Sequence, residues 1–143
     1  MYCVDVNVLV QACVAASPRH QLARSWLLAH RASPEGLGLF SVVVSGFFRV
    51  ATDRRVFSEP IDPAAAVAFI DSLTASTAVS VLDPGPRHWS LFRQMVLEYQ
   101  PSSADMTDVY LAAAAQELNA TWVSFDRGFA RFKKLRWLNP VDI

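Results

Sequence analysis

The opening stretch Met1-Tyr-Cys-Val-Asp5-Val-Asn-Val-Leu-Val-Gln-Ala-Cys13 changes its period at Asp5. Tyr2-Cys3-Val4 is a short apolar run of strand character, whereas Val8, Leu9, Ala12 and Cys13 recur at helical spacing. A strand therefore hands over to a helix across an acidic residue. The same hand-over occurs near the other end, where Thr121-Trp-Val-Ser-Phe125 reads as a strand stopping at Asp126 and Asp126-Arg-Gly-Phe-Ala-Arg-Phe132 turns into a short basic helix. Between them, Pro18 is placed to start a helix with Leu22, Ala23, Trp26 and Leu27 as its apolar stripe, and Leu37 to Phe40 reads as a strand. Ser41 stands where an N-cap belongs, ahead of a helix through Val43, Val44, Phe47, Phe48 and Val50 that ends near Asp53. A helix from Ala64 to Leu73, a strand Val79–Leu82, a helix marked by Trp89, Phe92, Val96 and Tyr99, and the strongly helical Thr107–Leu118 follow. Strands alternating with helices across short joins predict a parallel α/β sandwich. No linker or repeat divides the chain, so residues 1–143 are expected to form one domain.

Composition narrows the function classes. With 52% hydrophobic and 18% charged residues, the chain is too apolar for a disordered protein and must build a core. Area scaling for 143 residues gives roughly 7,300 Å² of accessible surface when folded. A formal net charge of zero excludes holding nucleic acid by bulk charge, though a local basic patch survives that average. Cys3 and Cys13 are neither a disulfide framework nor CxxC metal spacing; they read as small hydrophobes in a reducing, cytoplasmic compartment, with a secreted form as the alternative. The apolar start carries Asp5 and no basic leader, and no apolar run approaches the ~20 residues of a bilayer span, so no membrane is expected.

The acidic residues carry the chemistry. In open parallel sheets ligands bind outside the carboxyl ends of the strands, and Asp5 and Asp126 both fall there. Asp108 lies in the first turn of the helix Thr107–Leu118, with Asp105 three residues earlier, so both carboxylates can face one crevice. Crowded carboxylates resist ionising unless a cation intervenes, and an all-oxygen set suits Mg²⁺ or Mn²⁺. Such a cation activates water and neutralises a phosphodiester, the chemistry of metal-dependent nucleases. Arg127, Arg131, Lys133, Lys134 and Arg136 form a basic run beside Asp126 that is suited to an RNA backbone, although a solvated face is its ordinary explanation. The aromatic residues at helical spacing read as core, and His20, His30 and His88 as surface or capping histidines.

The segments Asp5-Val-Asn-Val-Leu-Val10, Ser45-Gly-Phe-Phe-Arg-Val-Ala-Thr-Asp-Arg-Arg-Val-Phe57, Asp105-Met-Thr-Asp-Val-Tyr-Leu-Ala-Ala-Ala-Ala115 and Ser124-Phe-Asp-Arg-Gly-Phe-Ala-Arg-Phe132, closed by Leu135-Arg-Trp-Leu-Asn-Pro140, resemble VapC-type PIN-domain toxins over nearly the whole chain and in the right order. The resemblance implies a PIN-like three-layer sandwich with a central parallel sheet flanked by helices. It also implies an RNA-cleaving toxin of a toxin–antitoxin pair that uses Mg²⁺ or Mn²⁺ and leaves 5′-phosphate and 3′-hydroxyl ends. By motif, Asp5, Asp108 and Asp126 match the metal-binding, catalytic aspartates, Asp105 a further metal-site acid, and Asn7 and Ser124 helper polar groups. A cognate antitoxin and a homodimer are the implied partners. One position departs: the family pattern places a glutamate three residues before Arg49, and Gly46 stands there, which implies a weakened metal site. The rival reading is a catalytically inactive PIN-fold module that engages an antitoxin or a dimer partner, separable from the nuclease by divalent-metal binding. A phospho-acceptor receiver domain also gathers aspartates at strand ends, but it requires a lysine ending a late strand where Ser124-Phe125-Asp126 stand.

Overall fold

A computed structural model describes residues 1–143. Five strands, β1 (Tyr2–Val4), β2 (Leu37–Phe40), β3 (Val79–Leu82), β4 (Thr121–Val123) and β5 (Arg136–Leu138), form one sheet in the order β3-β2-β1-β4-β5, with every pairing parallel. Strands β2 and β3 are added on one side of β1 and β4 and β5 on the other. The winding thus reverses between β1 and β4, the switch point at which such sheets open a crevice. The register Tyr2↔Thr121, Cys3↔Trp122, Val4↔Val123 makes these two strands end together. Asp5 and Ser124 to Asp126 therefore leave the sheet side by side.

Six helices cover the sheet: α1 (Val6–Cys13), α2 (His20–His30), α3 (Ser41–Ala51), α4 (Pro63–Thr74), α5 (His88–Tyr99) and α6 (Met106–Glu117). All four residues of β2 are buried, as a strand covered on both faces requires. In α6, Ala112 to Ala115 are wholly buried, and their small side chains let neighbouring layers approach on every side. The accessible surface is 7820 Å², slightly above the size-scaling value. No helix is long and apolar enough to cross a membrane.

Four local expectations are corrected. Ser41 does not cap α3, because β2 runs straight into the helix and Phe40 takes the cap position; the Ser41 hydroxyl instead donates to the carboxylate of Asp83. Pro18 does not begin α2, which starts at His20 after a turn closed by His20 N–H on the Ser17 carbonyl at 3.1 Å. Strand β5 is absent from the sequence reading, since three residues at a sheet edge with Arg136 exposed leave almost no apolar signal. His88 is neither a surface nor a capping residue: it is buried against Tyr110 and Phe92, with Nε2 2.9 Å from the Tyr110 carbonyl. Cys3 and Cys13 are both free, Cys3 fully buried with its thiol pushed up to about 12 by burial.

Candidate active site

Asp5 is the hinge of the site. Its amide donates to the Val123 carbonyl (2.9 Å), continuing the β1–β4 ladder by one residue. Its Oδ1 accepts the Val6 N–H (2.7 Å) and caps α1, so the structural role open to a carboxylate here is filled. Its Oδ2 accepts the Ser124 hydroxyl (2.6 Å) and Asn7 Nδ2 (3.0 Å). Asn7 Nδ2 also donates to Ser124 Oγ (2.9 Å), while its Oδ1 accepts the Phe125 N–H (3.2 Å). Ser124 is fully buried and takes the Asp126 N–H at 3.0 Å. The two helper polar residues thus lock the orientation of Asp5 and staple the ends of β1 and β4 together. The Asp5 carboxyl is raised to about 6, chiefly by burial and with smaller upward pushes from Asp108 and Asp126, against the downward pull of the bonds from Ser124 and Val6.

Asp108 sits in the first turn of α6 with its side chain 24% exposed. Burial raises its carboxyl, and Asp126 and Asp105 add to the rise; Arg131 opposes it, with Nη2 3.1 Å from Asp108 Oδ2. Asp105 stands at the helix start without capping it; its carboxylate accepts the Ser102 hydroxyl (3.0 Å) and lies 3.7 Å from Arg131 Nη2. Asp126 is exposed and caps the 3₁₀ turn Arg127–Arg131 through the Gly128 N–H at 2.7 Å. Beside Asp5 a hollow of about 450 Å³ opens between α1 and the end of α3, walled by Val6, Asn7, Val10, Val50 and Phe57.

Asp5, Asp108 and Asp126 feel one another's charge, and Asp108 feels Asp105, but no three acidic, histidine or cysteine side chains approach closely enough to hold an ion. The donors are nonetheless oxygens only, and a cation already leans on them in the form of the Arg131 guanidinium. In donor chemistry the set fits a hard divalent ion; its side-chain positions do not yet make a cage.

Gly46 lies inside α3 against α1, where an added Cβ would stand 2.8 Å from Val6 Cγ2. The helical glycine has a packing reason, the close approach of α3 to α1. Asp53 supplies no substitute acid, because it lies beyond the end of α3 and is paired with Arg55 at 3.0 Å.

Of the basic run, only Arg131 is seen on the acids. Arg127 pairs with Asp142 (2.7 Å), Lys134 lines a crevice along α5 with Glu98 and Tyr99, and the backbone of Lys133 donates to the Tyr99 hydroxyl. Sequence reasoning listed Arg131 among the backbone-binding cations but not as a partner of Asp105 and Asp108. The available signal was local: Gly128 clears the space over the turn, since a Cβ there would meet Arg131 Nη1 at 2.9 Å.

Comparison with known proteins places residues 2–135 in the PIN domain family. The chain is 49% identical over 142 residues to Ribonuclease VapC43 of Mycobacterium tuberculosis, covering 99% of this chain and 97% of that protein. It is 36% identical over 140 residues to Ribonuclease VapC31 of the same species, covering 98% and 99%. Among solved structures, the sarcin-ricin loop cleaving toxin VapC20 of M. tuberculosis superposes with a TM-score of 0.69 at 18% identity over 95% of this chain and 98% of that one. VapBC2 from Rickettsia felis, bound to a DNA fragment of its promoter, also gives 0.69, at 15% identity over 96% and 97%. These distant neighbours share the fold.

Proposed function

The chain belongs to the PIN-domain family and within it to the VapC proteins, and from that premise we propose that it is a metal-dependent endoribonuclease, the toxin of a VapBC-type pair. The observation that carries this reading is the β1–β4 register, which delivers a buried Asp5 and an exposed Asp126 to the switch point of the sheet within the field of Asp108. Asp5, Asp108 and Asp126, with Asp105 beside them, would hold a Mg²⁺ or Mn²⁺ ion, which when bound would activate a water and neutralise charge on the phosphodiester. Attack at phosphorus breaks the P–O3′ bond and leaves a 5′-phosphate and a 3′-hydroxyl. Asn7 and Ser124 keep Asp5 Oδ2 in one orientation, as groups behind a ligand do. Arg131 and the exposed cations around the turn hold the RNA backbone.

A cognate antitoxin is the proposed partner, covering apolar side chains that α2 and α4 leave exposed, Leu22, Leu28 and Val67 among them, and a second copy of the chain is the other. The alternative, an inactive PIN-fold binding module, draws on one observation: Val6 fills the space in front of Gly46 where the family carries a carboxylate. Incubating a pool of random-sequence RNA with the chain in Mn²⁺, and again in EDTA, separates the two. The nuclease reading expects cleavage in Mn²⁺, none in EDTA, and a loss of at least about a hundredfold in folded Asp5→Asn, the scale on which groups behind a metal already act. No cleavage by the native chain, combined with intact antitoxin binding, selects the binding module.

A further inference from the structure

We infer that Arg131 occupies the cation's place among the carboxylates of the free chain, competing with the divalent ion, and transfers to an RNA phosphate when substrate enters. The inference rests on the site reading above.

Its basis is how the guanidinium is held. Nη2 lies 3.1 Å from Asp108 Oδ2 and 3.7 Å from Asp105 Oδ1, so one cation spans two of the acids proposed to ligate. Its Cζ stands 4.5 Å over the ring of Phe132, and Nη1 passes over Gly128, where any side chain would collide with it. The side chain thus has a defined seat. Yet all three partners are open to water, Arg131 at 35% exposure, Asp108 at 24% and Asp105 at 48%, which makes the pairing weak and exchangeable. The buried ties at Asp5 have no such freedom.

Two consequences follow from general chemistry. A planar fork that grips carboxylate oxygens grips phosphate oxygens equally well, so Arg131 has an alternative partner of the same geometry in the substrate. Because the metal and the guanidinium would both draw on the Asp108 carboxylate, taking the guanidinium away raises the chain's affinity for the metal, and by linkage metal binding frees the guanidinium for RNA.

The test titrates MnCl₂ into the full chain without RNA by calorimetry, comparing the native protein with Arg131→Gln and Arg131→Lys. Removing the competitor should tighten Mn²⁺ binding about fivefold, the factor carried by an ion pair at the upper end of the partly exposed range. Arg131→Lys keeps the charge but loses the fork, and should tighten it about twofold. In EDTA, a fluorescent single-stranded RNA of random sequence should bind Arg131→Gln more weakly, with a salt slope reduced by about one. Equal Mn²⁺ affinity in all three proteins overturns the inference while leaving the site reading intact. So does tightening by Arg131→Gln with Arg131→Lys unchanged, since that is the field of one charge and not competition for a seat. Absence of Mn²⁺ binding in every protein overturns the inference and the site reading together.

Discussion

Helix α6 carries a carboxylate near each end, and the two are treated in opposite ways. At the carboxyl end Glu117 is buried, and its oxygens accept the N–H groups of Gly85 (2.7 Å) and Arg87 (2.8 Å). Arg87 also donates its guanidinium to the Glu117 carbonyl at 2.7 Å, and Gly85 is obligatory because a Cβ there would lie 2.7 Å from Glu117 Oε1. At the amino end Asp108 is half-open, faces Asp5, Asp105 and Asp126, and leans on one exchangeable arginine. A structural acid is closed by fixed backbone donors that cannot leave. Asp108 has no such donor, and the neighbouring Asp126 and Asp105 add to the rise of its carboxyl, as befits a group kept open for a ligand.

The comparison breaks most visibly at Glu117. Glu117→Ala should cost about 3 to 4 kcal/mol, because two short hydrogen bonds to a carboxylate are lost at about 1.5–3 kcal/mol each. Chemical denaturation with and without Mn²⁺ should show that the stabilisation by metal is unchanged; a lost metal response would mean the two ends are not independent.

The next effect is a pH dependence. The Asp5 carboxyl titrates at about 6 in the folded chain and near its ordinary 3.8 when unfolded, so the folded state holds the proton more tightly. Between these values folding favours the protonated form. The contribution is therefore complete below about pH 4, falls as pH rises, and is gone above about pH 6, amounting to about 3 kcal/mol. The difference in stability between the native chain and Asp5→Asn, measured without metal from pH 4 to 7.5, should shrink in favour of the variant by this order. A flat difference would show that burial does not disfavour the ionised form of Asp5.

A sharper comparison uses Gly46. Gly46→Glu alone should destabilise by about 1–3 kcal/mol through its collision with Val6, hiding any gain in metal affinity. Gly46→Glu combined with Val6→Ala opens the space, and only that pair should bind Mn²⁺ more tightly in calorimetry. Tightening by the single variant would mean that α1 yields easily. The smallest change in stability is expected for Asp126→Asn, which keeps the cap on the Gly128 N–H and should stay within a few tenths of a kcal/mol, yet should weaken Mn²⁺ binding.

Much of this was legible in the residue pattern. The change of period at Asp5 and the stop at Asp126 located the two strand ends that matter, and the short joins implied parallel strands. Ser41 misled because its residue type suits a cap that tertiary continuity between β2 and α3 removes. His88 escaped because burial of an imidazole against Tyr110 depends on a partner 22 residues away. Gly46 reads as a departure at the family's glutamate position, and the packing contact with Val6, forty residues earlier, that accompanies it has no local signature. The position of Arg131 on Asp108 was likewise beyond periodicity, which can place a cation near an acid but not assign it a seat.

The Ser124–Asp5 hydrogen bond joins residues separated by 119 positions. The bonds that tie Asp5 and Asn7 to Ser124 and Phe125 all form across this span, so no fragment made early in synthesis contains them. Non-local pairings of this kind are formed slowly, after the entropy of a long loop has been overcome. During translation β1 can pair early with β2, but it must wait for almost the whole chain to emerge before its second neighbour, β4, arrives. The proposed site is therefore incomplete until the last strands dock, which leaves an interval in which a partner can meet the chain before that site exists.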